Sequence, residues 1–156
     1  MIIEIPKVSP EGSRYVGASP VEILELDPKS GIEPESIRYD VEARIVSRDL
    51  MVNGQITMPV RLQCSRCAVF FSTLIRISSF LRICPLREGQ TEVDLTDDIR
   101  EDILLDLPNH PRCQEECAGL CPQCGANWNE TSCSCSPEDG GGPWDSLDRL
   151  IDRGRP

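Results

Sequence analysis

From Ile37 the chain alternates. Ile37, Tyr39, Val41, Ala43 and Ile45 are apolar, and Arg38, Asp40, Glu42 and Arg44 stand between them. A period of two puts one set on a buried face and the other in water, so the run is a strand. Leu50, Val52, Ile56, Met58, Val60 and Leu62 continue the alternation in a second run. Asn53-Gly54 falls inside it and reads as a bulge, or as the hairpin turn itself. Val69, Phe71, Ile75, Ile77, Leu81 and Ile83 make a third run, with Arg76 and Arg82 on the other face. Three such runs with short breaks predict an antiparallel meander.

Elsewhere the pattern is weaker. Residues 1–5 predict a short strand and 21–26 another, with Pro10, Gly12, Gly17 and Pro20 breaking the chain between them. Residues 28–34 read as a loop, and 86–92 as a polar one. From Asp94 the period changes. Ile99, Ile103, Leu104 and Leu107 share a helical face, with Asp94 or Thr96 as N-cap. Asp97 and Asp98 fall in the first turn, where the helix dipole favours negative charge, and Pro108 ends the helix. The remaining acidic side chains of this segment read as a solvated face. An acidic, glycine-rich linker over 137–142 leads to a short helix over 143–151. Its apolar face, Trp144, Leu147, Leu150 and Ile151, closes the core or docks on a partner.

The predicted fold class is α+β, mainly β: an antiparallel β platform with one or two short helices and a small C-terminal zinc-bound module. The divisions are a platform over 1–92, a helix and connector over 93–112, a cysteine-rich metal-binding module over 113–136, and a linker and tail helix over 137–156.

Composition narrows the partners. The chain has 156 residues, 39% of them hydrophobic, so it builds one modest core or a core plus a small module. With only two Trp, two Tyr and three Phe, that core rests on Ile, Leu and Val. A net charge of −10 argues against a broad phosphate-binding surface. It favours a basic partner, or a complex in which other proteins hold the RNA. No apolar run approaches the length of a membrane span. The start of the chain has neither a basic region nor a cleavage site, which leads to the expectation of a reducing cytoplasm.

The chemistry lies in the cysteines. Six of the nine fall within 113–135. Cys121-Pro122-Gln123-Cys124-Gly125 turns sharply enough for two thiolates to share one ion. Pro122 fixes φ early, and Gly125 suits a positive φ that points amides at the sulfurs. Cys133 and Cys135 offer a second pair, so Cys121, Cys124, Cys133 and Cys135 form the best tetrad, for zinc. Cys113 and Cys117 are either spare or complete another site. Disulfides and an iron–sulfur cluster are the competing readings.

A further C-x-x-C, Cys64-Ser65-Arg66-Cys67, lies where the second and third runs must turn. It reads as a tight turn with two free thiols, as a metal knuckle completed by Cys113 and Cys117, or as a redox pair. A thioredoxin-type pair belongs at the start of a helix, where the dipole lowers a thiol pKa, and this one lies between strands. Cys84 reads as a semi-buried thiol. His110, the single histidine, is not needed as a ligand beside six cysteines. No G-x-S-x-G or H-E-x-x-H is present, and four thiolates leave zinc no open position, so an enzyme is not expected.

In order, the motifs are L-Q-C-S-R-C at 62–67 and D-L-x-x-x-I-x-E-x-I-L-L-x-L-P at 94–108. Next come C-x-x-x-C-x-G-L-C-P-x-C-G-x-N at 113–127 and C-x-C at 133–135. Together they resemble the bacterial and plastid family of large ribosomal RNA subunit accumulation proteins, the YceD-like family, over about 60–156. Two departures stand out. The family usually has N-L-N where this chain has Asn127-Trp128-Asn129, and Gly142 replaces an acid before Pro143-Trp144. The resemblance implies a role in large-subunit rRNA accumulation and large ribosomal subunit assembly, without catalysis. It places Cys113, Cys117, Cys121, Cys124, Cys133 and Cys135 in the family's C-terminal cysteine cluster.

The expected function is thus a non-enzymatic assembly factor with a structural Zn(2+) site. Its partners would be a ribosomal protein and/or large-subunit rRNA within an assembly complex, with neither a membrane nor a small-molecule substrate. Arg76, Arg82, Arg87 and Arg100 are the expected phosphate contacts. The alternative of another class is a thiol-based redox or metal-sensing protein that switches through Cys64 and Cys67.

Overall fold

A computed structural model describes residues 1–135. The predicted linker and the tail helix with Trp144 lie outside the described residues. The described residues fall into two compact units, 1–117 and 118–135.

The three alternating runs are the three strands of the meander. They are β4 (Ile37–Val46), β5 (Asp49–Gln63) and β6 (Phe70–Pro85), antiparallel and adjacent in that order. Two further strands precede them, β2 (Ser13–Ser19) and β3 (Ile32–Pro34). β2 pairs with β4. β3 continues along the same edge of β5, past the end of β4. β1 (Ile2–Glu4) and β7 (Glu92–Asp94) form a separate two-stranded ribbon, and the only α-helix among the described residues is α1 (Thr96–Asp106).

The apolar face of the sheet carries the core. Ile37, Val41, Leu50, Val52, Ile56, Met58, Val60, Leu62 and Phe80 are buried from the strands, and Ile3, Leu24, Leu95, Ile99 and Ile103 cover them. α1 therefore binds the sheet through Ile99 and Ile103, one turn apart, while Leu105 stays in water. Leu107 is extended, as a residue before proline must be. The other face of the sheet is largely polar and open.

Several expectations need correction. Residues 21–26 are not a strand. Val21–Leu24 is one 3-10 turn, and its three-residue period brings Val21 and Leu24 to the same side, with Leu24 buried. The segment broken by Pro10, Gly12 and Pro20 still holds seven residues of β2, and the loop at 28–34 ends in β3. The helix cap is Leu95, without a side-chain bond. Asp94 instead accepts the N–H of Thr96 at 2.9 Å.

The bulge is real but lies on the other strand. Gly54 pairs with Phe80 and Ile56 with Ile77, so the extra residue is in β6, at Ser78-Ser79. Gly54 serves a different purpose. A Cβ there would sit 2.3 Å from the carbonyl oxygen of Asp40, so only glycine lets β4 come this close. The extra residue reverses the phase of β6. Arg82, expected opposite the apolar face, turns toward α1. Leu81 and Ile83, expected in the core, are 50% and 56% exposed.

Candidate metal centres

The structure gathers eight of the nine cysteines into two groups of four: Cys64, Cys67, Cys113 and Cys117, and Cys121, Cys124, Cys133 and Cys135. Within each group all sulfurs lie within 4.8 Å of one another. Cys84 stands apart, half-buried, with its thiol pushed up by burial. His110 is exposed and belongs to neither group.

The first group begins at the β5–β6 hairpin. Ala68 donates its N–H to the carbonyl of Cys64 at 2.9 Å, and Cys64 donates to Val69 at 2.9 Å. This turn points the N–H of Arg66 at Cys64 Sγ, 3.4 Å away. Its closing residue, Ala68, takes a φ of 58°, unusual for a residue with a Cβ. The connector after α1 then comes alongside. Ser65 donates to Pro111 O at 2.8 Å, and the Arg66 guanidinium to Cys117 O at 2.7 Å. Cys113 Sγ arrives 3.6 Å from Cys67, and Cys117 Sγ 3.8 Å from Cys64.

The second group uses the same turn. Gly125 donates to the carbonyl of Cys121 at 2.9 Å, and Cys121 donates to Ala126 at 2.8 Å. Gly125 takes the expected positive φ, 73°. One bridge, Leu120 with Asn127, closes this small hairpin. The loop to Cys133 is held by side chains: Asn129 Oδ1 accepts the N–H of Ala118 at 2.8 Å, and Trp128 Nε1 donates to Cys133 Sγ at 3.3 Å. Cys121 is buried and Cys124 exposed.

The sulfur chemistry fits a thiophilic divalent ion. Four thiolates at about 2.3 Å from a tetrahedral zinc would stand about 3.8 Å apart, close to the two separations above. Disulfides need about 2.05 Å, so these thiols are not bonded to one another. A polynuclear iron–sulfur cluster spreads its thiolates over several irons and needs a wider cage. Each group already favours one thiolate. Burial pushes the Cys64 thiol up, but the N–H groups of Cys67, Cys113 and Arg66 outweigh it and hold it at about 6. The N–H groups of Cys124 and Gln123 bring Cys121 to about 6 as well. Cys67, Cys113 and Cys135 are shifted the other way. The N–H of Val69 draws Cys67 down, yet burial and the thiols of Cys64 and Cys117 leave it raised. Burial, with the adjacent thiols, pushes Cys113 up to about 12, and the Cys124 thiol and burial push Cys135 up to about 12. A dication in each group is what would allow the remaining protons to leave.

The sequence pointed to the second tetrad and left the first among three readings. It missed Arg66, Ala68 and Asn129, whose roles lie in backbone geometry rather than in residue type. The four arginines do not converge. Arg82 is held by Asp98 at 2.7 Å and by Asp102, and packs on the Phe80 ring. Arg100 pairs with Glu25 at 2.8 Å. Arg76 and Arg87 carry no ion pair among the described residues. No helix among those residues is long and apolar enough to cross a membrane.

Comparison with known proteins returns the family that the motifs resemble. Residues 81–151 match the family model described as large ribosomal RNA subunit accumulation protein YceD. An uncharacterized protein of Mycobacterium leprae is 29% identical over 105 residues, 58% of this chain and 48% of its own length. One from Mycobacterium tuberculosis is 30% identical over 100 residues, 55% and 48% of the two chains. The chloroplastic large ribosomal RNA subunit accumulation protein YCED homolog 1 of Zea mays is 43% identical over 49 residues, 31% of this chain and 17% of its own. The chain thus spans about half the length of the first of these relatives, and less of the plant protein. No solved structure matches.

Proposed function

Because this chain is a YceD-like protein, we propose that it is a non-enzymatic factor supporting large-subunit rRNA accumulation and large ribosomal subunit assembly, with two structural zinc sites. The observation that carries the reading is the coincidence of the matched segment with the cysteine tetrads. The segment 81–151 contains six of the eight gathered cysteines, and its description names rRNA accumulation.

Cys64, Cys67, Cys113 and Cys117 would hold one ion, and Cys121, Cys124, Cys133 and Cys135 the other. Zinc bound by four thiolates has no open position, so it would cross-link the chain rather than activate a substrate. The protein's own residues do the remaining work. The amides of the two turns and the cation of Arg66 offset the excess charge on the sulfurs. The acidic surface would receive a basic ribosomal protein, or lie beside rRNA in a cytoplasmic assembly complex, with no small-molecule substrate. A lone Cys64/Cys67 redox switch gains no support, because each of these sulfurs lies against a thiol from the connector.

Two measurements test this. Protein purified without oxidation should carry two zinc ions per chain and one free thiol, Cys84. No metal, or few reactive thiols, would reverse the metal assignment. Depleting the protein in its own host should lower the ratio of large- to small-subunit rRNA, and an unchanged ratio would refute the function.

A further inference from the structure

The open face of the sheet carries a pattern that neither the zinc sites nor the core uses. On this side β6 presents Phe70, Ser72, Leu74 and Arg76, spaced about 7 Å apart along the strand. Beside them β5 presents Gln63, Arg61, Pro59 and Thr57. β4 adds Arg38, which pairs with Thr57 from the other side. Arg38 and Arg76 therefore flank Thr57 in one row, about 10 Å apart.

These two arginines differ from most of the others. Arg14, Arg44, Arg61, Arg82 and Arg100 are each tied to a carboxylate. Arg38 and Arg76 are exposed and carry no ion pair among the described residues. At the other end of the strip Phe70 is 37% exposed, and the Arg61 guanidinium lies over its ring, 5.3 Å from the centroid. Leu74 is 43% exposed between them. The negative charge of α1 is elsewhere: Asp98 and Asp102 bind Arg82, on the opposite face of the sheet.

We propose that this strip binds single-stranded RNA, with Arg38 and Arg76 on phosphates and the Phe70–Arg61 pair as the platform on which a base stacks. The proposal rests on the rRNA reading above and gives it a surface. On a face whose carboxylates Glu33, Asp40 and Glu42 are each already paired to an arginine, the side-by-side Arg38 and Arg76 are complementary to a polyanion. An open sheet face with an aromatic–guanidinium pair suits unstacked bases, which every sequence offers. Thr57 and Ser72 supply hydroxyl donors and acceptors along the strip. An acidic peptide would need the cations but would leave the stacking platform and the neutral polar groups unused.

The test is the binding of a short fluorescein-labelled oligouridylate to the full chain, followed by anisotropy across a salt series. The wild type should bind, more weakly as salt rises. Arg38→Gln with Arg76→Gln should cost about tenfold or more and lower the slope of log K against log salt by about 1.4, because each single-strand phosphate contact contributes about 0.7. Phe70→Ala should cost about fivefold or more with the slope unchanged. Arg48→Gln, in the turn at the far end of β4, should change nothing. Unaltered melting curves and thiol counts would confirm that the variants fold. No binding by the wild type, binding indifferent to the Arg38 and Arg76 changes, or displacement by oligoglutamate as effective as by RNA would each overturn the strip. The depletion experiment stands apart from all three. If rRNA still falls on depletion, the function survives and only the surface is lost.

Discussion

At Cys64 and at Cys121 the chain makes the same turn. In both, the N–H four residues on returns to the cysteine carbonyl at 2.9 Å, and the cysteine's own N–H reaches the carbonyl five residues on. In both, the first thiol is drawn down to about 6 by amides of the turn. What surrounds the turns differs. The first closes a hairpin of 15- and 16-residue strands and has Cys64, Cys67 and Cys117 buried, within a unit that holds the main apolar core of the described residues. The second closes a single bridge, and over 118–135 only Gly119 and Cys121 are buried. The same ligand set therefore meets two energetic situations. In the first, an ion would pin a connector to a sheet that already has reason to fold. Over 118–135 there is almost no apolar burial among the described residues to offset chain entropy, so an ion would be the main source of order in that stretch.

Metal removal separates these roles most strongly. Under a strong chelator, amide protection across 118–135 should vanish, while β4 and β5 keep theirs; hydrogen exchange read by mass spectrometry would show both at once. Equal loss in the two units would mean that the sheet also depends on the metal for its fold. Single-ligand variants come next. Cys117→Ser should reduce two zinc ions to one and destabilise the first unit by about 4 kcal/mol, since it removes a buried ligand and the metal with it. Cys124→Ser should also lose one ion but leave the melting of the sheet where it was. Arg66→Ala is milder. Its guanidinium donates to Cys117 O at 2.7 Å, and its loss should cost about 1–2 kcal/mol in a denaturant melt.

The two turns also show how far residue patterns reach. The three strands of the meander were legible because their apolar positions repeat every second residue over long runs. The phase of β6 beyond Ser78 was not. The bulge adds one residue without a sequence mark, and so sent Arg82 to α1 and Leu81 and Ile83 to solvent. The second cysteine tetrad was legible because its ligands crowd into 15 residues with a proline and a glycine at turn positions. The first was not, because Cys67 and Cys113 are 46 residues apart and meet only through the fold. Val21–Leu24 misled for a simpler reason: four residues do not distinguish a period of two from a period of three.

The smallest effect tests the comparison most directly. The left-handed closing position is glycine in the second turn and alanine in the first, with φ of 73° and 58°. A left-handed alanine costs about 1–2 kcal/mol over the right-handed form, and glycine loses about 0.5–1 kcal/mol more chain entropy on folding. The balance favours glycine by about 0.5–1 kcal/mol. Ala68→Gly should therefore stabilise the first unit by that amount in a denaturant melt, with m unchanged. Gly125→Ala should weaken the second turn by a similar amount, read as tighter competition by a chelator for its zinc. No heavy atom lies within 4 Å of a Cβ built on Gly125, so this second change isolates the backbone cost from any clash. If the two substitutions shift stability in opposite directions by matching amounts, the turns are the same device in two settings. If Ala68→Gly destabilises instead, the alanine methyl is packing in the first turn, and the likeness of the two turns stops at their hydrogen bonds.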